Sequence, residues 1–550
     1  MKLLLLLRLA MWSVVGAAIL PIDLSANAQA LVRAPGMPVS PRTDGDYVES
    51  QGQARDRAEA AYNAWNLAFL AQSAGTAYYT TALHGSKPEG TWVGALDVEF
   101  ADDVCLRMRT PAQLQLINDL LTTFLAQNDF DWSQDTWNDD LAWMTLAMLH
   151  GYQITGNTTY LNKAVSAWNI AYDRGWDIKY GGGGVWENMD NFVHGDGRAD
   201  KCALSNDPFI TAGVSLYQIT GDSAYLAKSE AIYAWVRANI FNTTTGQVNE
   251  GVKWPIGNTA GGFVENSDNV YNSGSFLEAA NALFRITGKA QYYQDALLAA
   301  NHIVDHTPTL HDGGRYQTQW AYRFVKGLSE FATENDLWSR YFPWMLSNAQ
   351  AAWNEQDSNN LTWNDWTKPT DDPKIDANES SSAVAIWLWL PPSSSAVPSG
   401  TYEVINAASR LPLKVARSSV AGDAPVAQGS ANRSLGAIWT FVPTSGGYCR
   451  IKNVHSGLVA SVADDSVQSG AKIVQRSPQA THLGSDQWLP VRNADGTYSF
   501  YNLNSLQALD DPAGAVTSPG TQMDQCFANC SLAQKFTLIS HNASVATGKH

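Results

Sequence analysis

The chain has 550 residues, 45% of them hydrophobic, with 21 Trp, 21 Tyr and a formal net charge of -16. This composition belongs to a globular chain with ample core, and the acidic balance excludes nucleic acid or an anionic lipid surface as the main partner. A neutral substrate fits better. In chain order, residues 1–30 read as an export signal: Lys2, an apolar stretch from Leu3 to Leu20 interrupted by Arg8, and a small-x-small end at Ala28, Gln29 and Ala30. No second apolar stretch of about 20 residues follows, so no membrane association is expected once the signal is removed. The mature protein is therefore expected to be secreted or extracellular, in a periplasm or cell wall where the host has one. Helical spacing of apolar residues then appears over Arg55 to Leu70 and Pro111 to Leu125. The phrase Ile-Thr-Gly recurs, ending at Gly156, Gly221 and Gly288, 65 and 67 residues apart. That period suits a helix, a return helix and two loops, and across residues 46–390 it predicts about five or six stacked hairpins, enough to close a ring of inner and outer helices.

Counting back from each Gly finds where its helix begins. Asp139 and Asp140 lie 17 and 16 residues before Gly156; the same offsets reach Leu204 and Ser205, beside Asn206, and then Tyr271 and Asn272. Equivalent helices of a repeat point the same way, so these three starts are expected to share one polar rim. The chain contains five Asp-Asp pairs, so adjacency alone carries little. Asp139 and Asp140 differ from the others because they open a strongly apolar helix, Leu141 to Leu149, and follow Trp132 and Trp137. One reading is helix capping, with Asn138 as N-cap and the aspartates at the positive end of the helix dipole. The other is catalytic. Neighbouring helical residues bring carboxyls to the roughly 5 to 5.5 Å separation of a retaining glycosidase, and two close carboxylates push one pKa upward, which supplies a proton donor beside a nucleophile.

The phrases Trp137-Asn138-Asp139-Asp140 with Trp143, Gly181-Gly182-Gly183-Gly184-Val185-Trp186, Val270-Tyr271-Asn272-Ser273-Gly274 and, more weakly, Phe324-Val325-Lys326-Gly327-Leu328 together resemble glycoside hydrolase family 76. Its members are α-1,6-mannanases built as (α/α)6 barrels with consecutive aspartates. The resemblance covers about residues 50–390 and implies an all-α (α/α)6 toroid that hydrolyses α-1,6-mannan, with Asp139 as nucleophile and Asp140 as general acid/base. Met144 stands where the family often has a second Trp, a departure that bears on the subsites. Trp137, Trp186 and Tyr271 are candidate ring-stacking faces, and Asn206 and Asn272 are candidates for hydroxyl recognition. No cofactor is called for. His302 and His306 have a helical metal spacing, but no third ligand is evident.

Residues 391–400, PPSSSAVPSG, form a stiff polar linker. Beyond it, residues 401–541 show short alternating runs and three internal repeats, opening at Tyr402, Tyr448 and Tyr498 and closing at Trp439, Trp488 and Phe536. These resemble the ricin-type β-trefoil lectin domain, in which the closing aromatics form a common core. That resemblance implies a second carbohydrate ligand, with Asp510 as the best match to the sugar-binding aspartate. Of the five cysteines, Cys526 with Cys530 and Cys105 with Cys202 are two conceivable pairs that would leave Cys449 alone, and the spacings do not decide the pairing. The same aspartates would serve a cell-wall transglycosidase, and a toroid without activity would leave a glycan-binding protein.

Overall fold

The computed structural model describes residues 53–541 apart from 129–131, 190–197, 256, 313–319, 372–373, 392–396, 431–433, 479–482 and 517–518. The expected export signal lies outside the described residues. Twelve α-helices are present among them: α1 Gln53–Phe69, α2 Thr91–Met108, α3 Pro111–Gln127, α4 Asn138–Thr155, α5 Thr158–Gly175, α6 Asp207–Thr220, α7 Ser223–Asn239, α8 Val270–Thr287, α9 Ala290–His306, α10 Tyr322–Glu334, α11 Trp338–Asn354 and α12 Ala377–Leu388. The even-numbered helices touch in order, and α12 returns to α2, so they close a ring; the odd-numbered helices pack outside it. No helix among the described residues is long and apolar enough to cross a membrane.

Local chemistry fixes the hairpins. Gly156, Gly221 and Gly288 end α4, α6 and α8 in the left-handed region, with φ of 70°, 75° and 66°. Each donates its N–H at 2.8 Å to the carbonyl four residues back, as the terminal turn requires. Asn157 and Asp222 then cap the next helices by accepting from Thr159 N and Ala224 N. The recurring phrase is thus a helix stop fused to a helix start. At α3, Thr110 and Gln113 form a reciprocal capping box. The expected helix to Leu70 stops at Phe69, because Leu70–Ser73 turns into a hairpin with Thr76–Tyr79.

The ring's centre is polar. Glu99 and Asp103 on α2, Glu278 on α8, and Arg323 and Lys326 on α10 are all buried. Arg323 donates to Glu99 and to Glu278, both at 2.6 Å, and Lys326 lies 3.0 Å from Asp103 and 3.4 Å from Glu99. Burial raises every one of these carboxyls, but Arg323 and Lys326 overcome it at Glu99, which is held at about 2. Burial wins at Asp103 and Glu278, pushed up to about 7 and about 8. A carboxyl with a raised folded pKa binds more protons folded than unfolded, so its contribution to stability grows as pH falls through that value. The half-buried His150, pushed down to about 3, opposes this only below its ordinary 6.5. The thermal midpoint is therefore expected to rise from about pH 8 to about pH 6.5, measured by calorimetry at fixed ionic strength; a flat or falling midpoint contradicts the burial of these carboxyls.

The C-terminal part is β-rich. Its first strand, Thr401–Asn406, pairs with its last, Phe536–Ser540, and so brings the two ends together. The closing aromatics Trp439, Trp488 and Phe536 are fully buried in one cluster with Val404, Ile451 and Phe500. This unit seals the C-terminal mouth of the helical ring. The Phe527 ring lies over Gly156, where a Cβ would meet it at 2.6 Å, and it packs edge-on to Tyr152 at 5.5 Å. Gln468 donates to Ile219 O at 2.9 Å, and Arg109 donates to Leu506 O at 2.7 Å. A cavity of about 150 Å³ remains between the two units, lined by residues that include Asp103, His150, Glu278, Arg285 and Lys326.

All five cysteines are free, which corrects the expected pairings. Cys105 lies near the sealed mouth, where Arg109 N donates to its carbonyl and Arg109 O accepts from Cys530 Sγ at 3.7 Å. Cys202 lines the cleft at the opposite mouth. The length of the ring separates them.

Candidate active site

The three helix starts share one mouth of the ring. Asp139 and Asp140 are the second and third residues of α4; Asn206 precedes α6, and Tyr271 and Asn272 open α8. Asn138 is not the N-cap, since Trp137 holds that position without a side-chain cap bond. The Asn138 side chain instead donates to Trp186 O at 2.7 Å and accepts from Arg174 Nε at 2.7 Å, while its N–H donates to Glu187 O at 2.8 Å. These bonds fasten the start of α4 to the segment after the glycine run and bring Glu187 beside Asp139. Trp137 and Asn188 form a β-bridge across the same seam.

Asp139 Oδ1 is buried without a hydrogen-bond partner among the described residues. Burial raises its pKa well above the ordinary carboxyl value, and the charge of Glu187 adds to this; the N–H groups of Asp139 and Asp140 at the helix start oppose it. Asp140 is 9% exposed in the same first turn.

Glu187 in turn lines a cleft of about 370 Å³ together with residues that include Asp200, Cys202, Glu250, Glu265 and Tyr271; Asp139 and Asp140 stand behind Glu187 and are not among its lining residues. Glu250 organises one wall. Its Oε2 accepts from Asn269 Nδ2 at 2.6 Å, Tyr271 OH at 3.0 Å and Asn272 Nδ2 at 3.0 Å. Burial and Glu250 raise the Tyr271 phenol, so it remains a donor. On the other side Lys253 bridges Asp200 at 3.5 Å and Glu265 at 2.8 Å.

The sequence candidates divide by depth. Tyr271 lines the cleft, and Asn272 stands behind it, fully buried against Glu250. Asn206 is also fully buried: its Oδ1 accepts from Val185 N at 2.8 Å, and its Nδ2 donates to Val185 O and Cys202 O. Trp186 is 2% exposed and packs against Tyr180 and Trp254. His302 bonds Asp268 at 2.8 Å, and His306 bonds the His302 carbonyl at 2.7 Å. Sequence reasoning missed Glu187, Lys201 and Glu250. Glu187 directly follows the glycine-rich phrase, a signal that was available; Glu250 lies in a loop with no motif of its own.

The glycosyl hydrolase family 76 model matches residues 112–390. The chain belongs to that family. The ricin-type beta-trefoil lectin domain-like model matches residues 385–476 and 438–526. Among solved structures, the family 76 chain is similar to the alpha-1,6-mannanase of Salegentibacter sp. HEL1_6, at 21% identity and a TM-score of 0.52, over 61% of this chain and 98% of that one. An inactive variant of that mannanase, with two consecutive aspartates replaced by asparagine and alpha-1,6-mannotriose bound, matches at 20% identity and a TM-score of 0.54, with 61% and 98% coverage. A family 76 mannosidase from Bacteroides thetaiotaomicron VPI-5482 matches at 18% identity and a TM-score of 0.53, over 61% and 97%. At these identities the likeness is one of fold. No curated protein matches the chain.

In this family 76 chain the sugar-binding candidate Asp510 is 8% exposed, on the strand Ala508–Asp510, opposite Asp524 in register. Burial pushes its carboxyl up to about 6, against the opposing bond from Gln534. Lys472 pairs with Asp524 at 2.9 Å beside it.

Proposed function

We propose that this family 76 chain is an exported endo-acting glycosidase that cleaves α-1,6-mannosidic linkages with retention of configuration. The ring of six inner and six outer helices is read as an (α/α)6 toroid, and the β-rich unit as a β-trefoil that holds a second carbohydrate near Asp510. The observation that carries the reading is the pair Asp139 and Asp140 in the first turn of an inner helix, with Glu187, whose charge acts on Asp139, lining a sugar-sized cleft. A double displacement needs one proton and one charge on such a pair. When the leaving glycosidic oxygen engages Asp140, the shared proton passes to it, and Asp139 attacks the anomeric carbon as a carboxylate. Cleavage protonates the leaving oxygen and forms the glycosyl ester. Water deprotonated by Asp140 then releases the sugar. Glu250, with one oxygen fixed by three donors, is suited to accept from a sugar hydroxyl, and Tyr271 offers a ring face. The relatives with α-1,6-mannotriose or mannotetrose bound support this choice of substrate.

The test is incubation with linear α-1,6-mannan, reading product length and first anomeric configuration together. α-Configured oligosaccharides of mixed length are expected. β-Configured first products overturn retention, and uncut polymer that still binds points to a glycan-binding protein. Longer products formed only with acceptor sugar present point to transglycosylation.

A further inference from the structure

The glycine-rich segment before Glu187 has a backbone that few sequences tolerate. Gly181, Gly182, Gly183 and Gly184 have φ of 74°, 76°, 153° and 86°, and a Cβ at Gly181 or Gly184 would strike Trp254 at 2.8 Å or Trp235 at 2.6 Å. Its carbonyls converge on one side chain. Lys201, fully buried on the strand Arg198–Cys202, donates from Nζ to Asp177 O at 2.6 Å, Tyr180 O at 2.7 Å and Gly183 O at 2.5 Å. The Trp186, Trp254 and Trp235 rings enclose it at 4.7, 5.6 and 5.7 Å. The charged group facing it is the Asp177 carboxylate at 3.4 Å; the other walls are these indoles, Tyr180 and backbone. The next residues run directly into the site: Val185 is held by Asn206, Trp186 O by Asn138, and Glu187 N donates to Asp200 O at 2.9 Å.

We propose that the Lys201 ammonium is a positioning group for the reaction: it holds the glycine-rich segment in the shape that keeps Glu187 beside Asp139. The proposal rests on the reading of Asp139 and Asp140 as the reacting pair. Three carbonyls need three donors, and only the protonated amine has them. Burial lowers this amine from 10.5 to about 8, with Asp177 opposing, so the brace loses a donor within a measurable pH range. The fold itself is not weakened by that step. A folded state that binds fewer protons than the unfolded chain gains stability as pH rises between about 8 and 10.5. Loss of activity without loss of stability is therefore the signature of a positioning role.

The experiment follows wild type, Lys201→Met and Lys201→Arg from about pH 6 to about pH 9.5, reading kcat and KM on linear α-1,6-mannan, tryptophan emission and the urea midpoint. In wild type, kcat is expected to fall above about pH 8 with KM little changed, and emission from the indole cage to shift with the same midpoint while the urea midpoint does not fall. Lys201→Met is expected to lose about tenfold or more in kcat at the acid end and to lack both transitions; Lys201→Arg is expected to recover part of kcat with no alkaline limb. A flat wild-type emission profile, or a folded Lys201→Met with wild-type kcat and the same alkaline limb, overturns the proposal. Emission is read without substrate, so a transition seen in a protein that leaves mannan uncut counts against the mannanase reading and for the brace.

Discussion

Asp139→Asn and Asp140→Asn are each expected to lower hydrolysis of α-1,6-mannan by on the order of 10^4-fold while leaving the fold and mannan binding in place. An amide fills the volume of a carboxylate and keeps one acceptor at the start of α4, so the helix loses little. It can neither attack the anomeric carbon nor hold an exchangeable proton. The two variants part company on an aryl mannoside, whose leaving group needs no proton. Under the proposed roles Asp140→Asn should retain substantial aryl-group release, and Asp139→Asn should not. Burial and Glu187 push the Asp139 carboxyl up, which makes this comparison the decisive one: retained release in Asp139→Asn instead would exchange the two roles. Wild-type mannan hydrolysis in either variant removes the pair from the mechanism.

Arg323→Met is expected to cost about 3 to 5 kcal/mol of folding stability near pH 8, read from the urea midpoint. Arg323 is 2% exposed and joins Glu99 on α2 to Glu278 on α8, and its guanidinium lies 5.2 Å from the centre of the Trp143 ring on α4. Methionine keeps part of the packing against Trp143 but leaves Glu278 without its hydrogen-bonded cation and Glu99 with Lys326 alone, at 3.4 Å. Glu99, held at about 2 chiefly by this residue and Lys326 against its burial, must then take up a proton or stay charged in a poor environment. Acid relieves the defect, so the loss should be clearly smaller near pH 5. A loss below about 1 kcal/mol at both pH values would mean that water solvates these carboxylates and that the ring does not depend on the cation.

Much of the helical unit was legible because its signals are local. A glycine with positive φ stops a helix, and at Gly156 and Gly221 an Asn or Asp directly after it starts another; both preferences belong to the residues themselves, so Gly156, Gly221 and Gly288 could be counted as repeats and run backward to Asp139, Asn206 and Tyr271. The shared rim follows from that repetition alone. The depth of each residue does not. Asn206 and Trp186 carry the residue types of a sugar site, yet Asn206 is fully buried, its amide spent on Val185 and Cys202, and Trp186 nearly so, its ring packed on Tyr180 and Trp254. The pairing of Cys105 with Cys202 failed for a related reason: sequence distance says nothing about which mouth of a ring a thiol occupies.

By itself the sequence determined the helices and their ends, the β-rich C-terminal unit, and the neighbouring acids at one helix start, since each depends on groups a few residues apart. The tertiary structure decided which charges face one another: Glu187 against Asp139, Glu250 within reach of Tyr271 and Asn272, Arg323 between Glu99 and Glu278, and Lys201 under four glycines. These contacts span from under 20 to more than 220 residues of chain. Their energies depend on burial and on distance in space, quantities that exist only after the ring has closed.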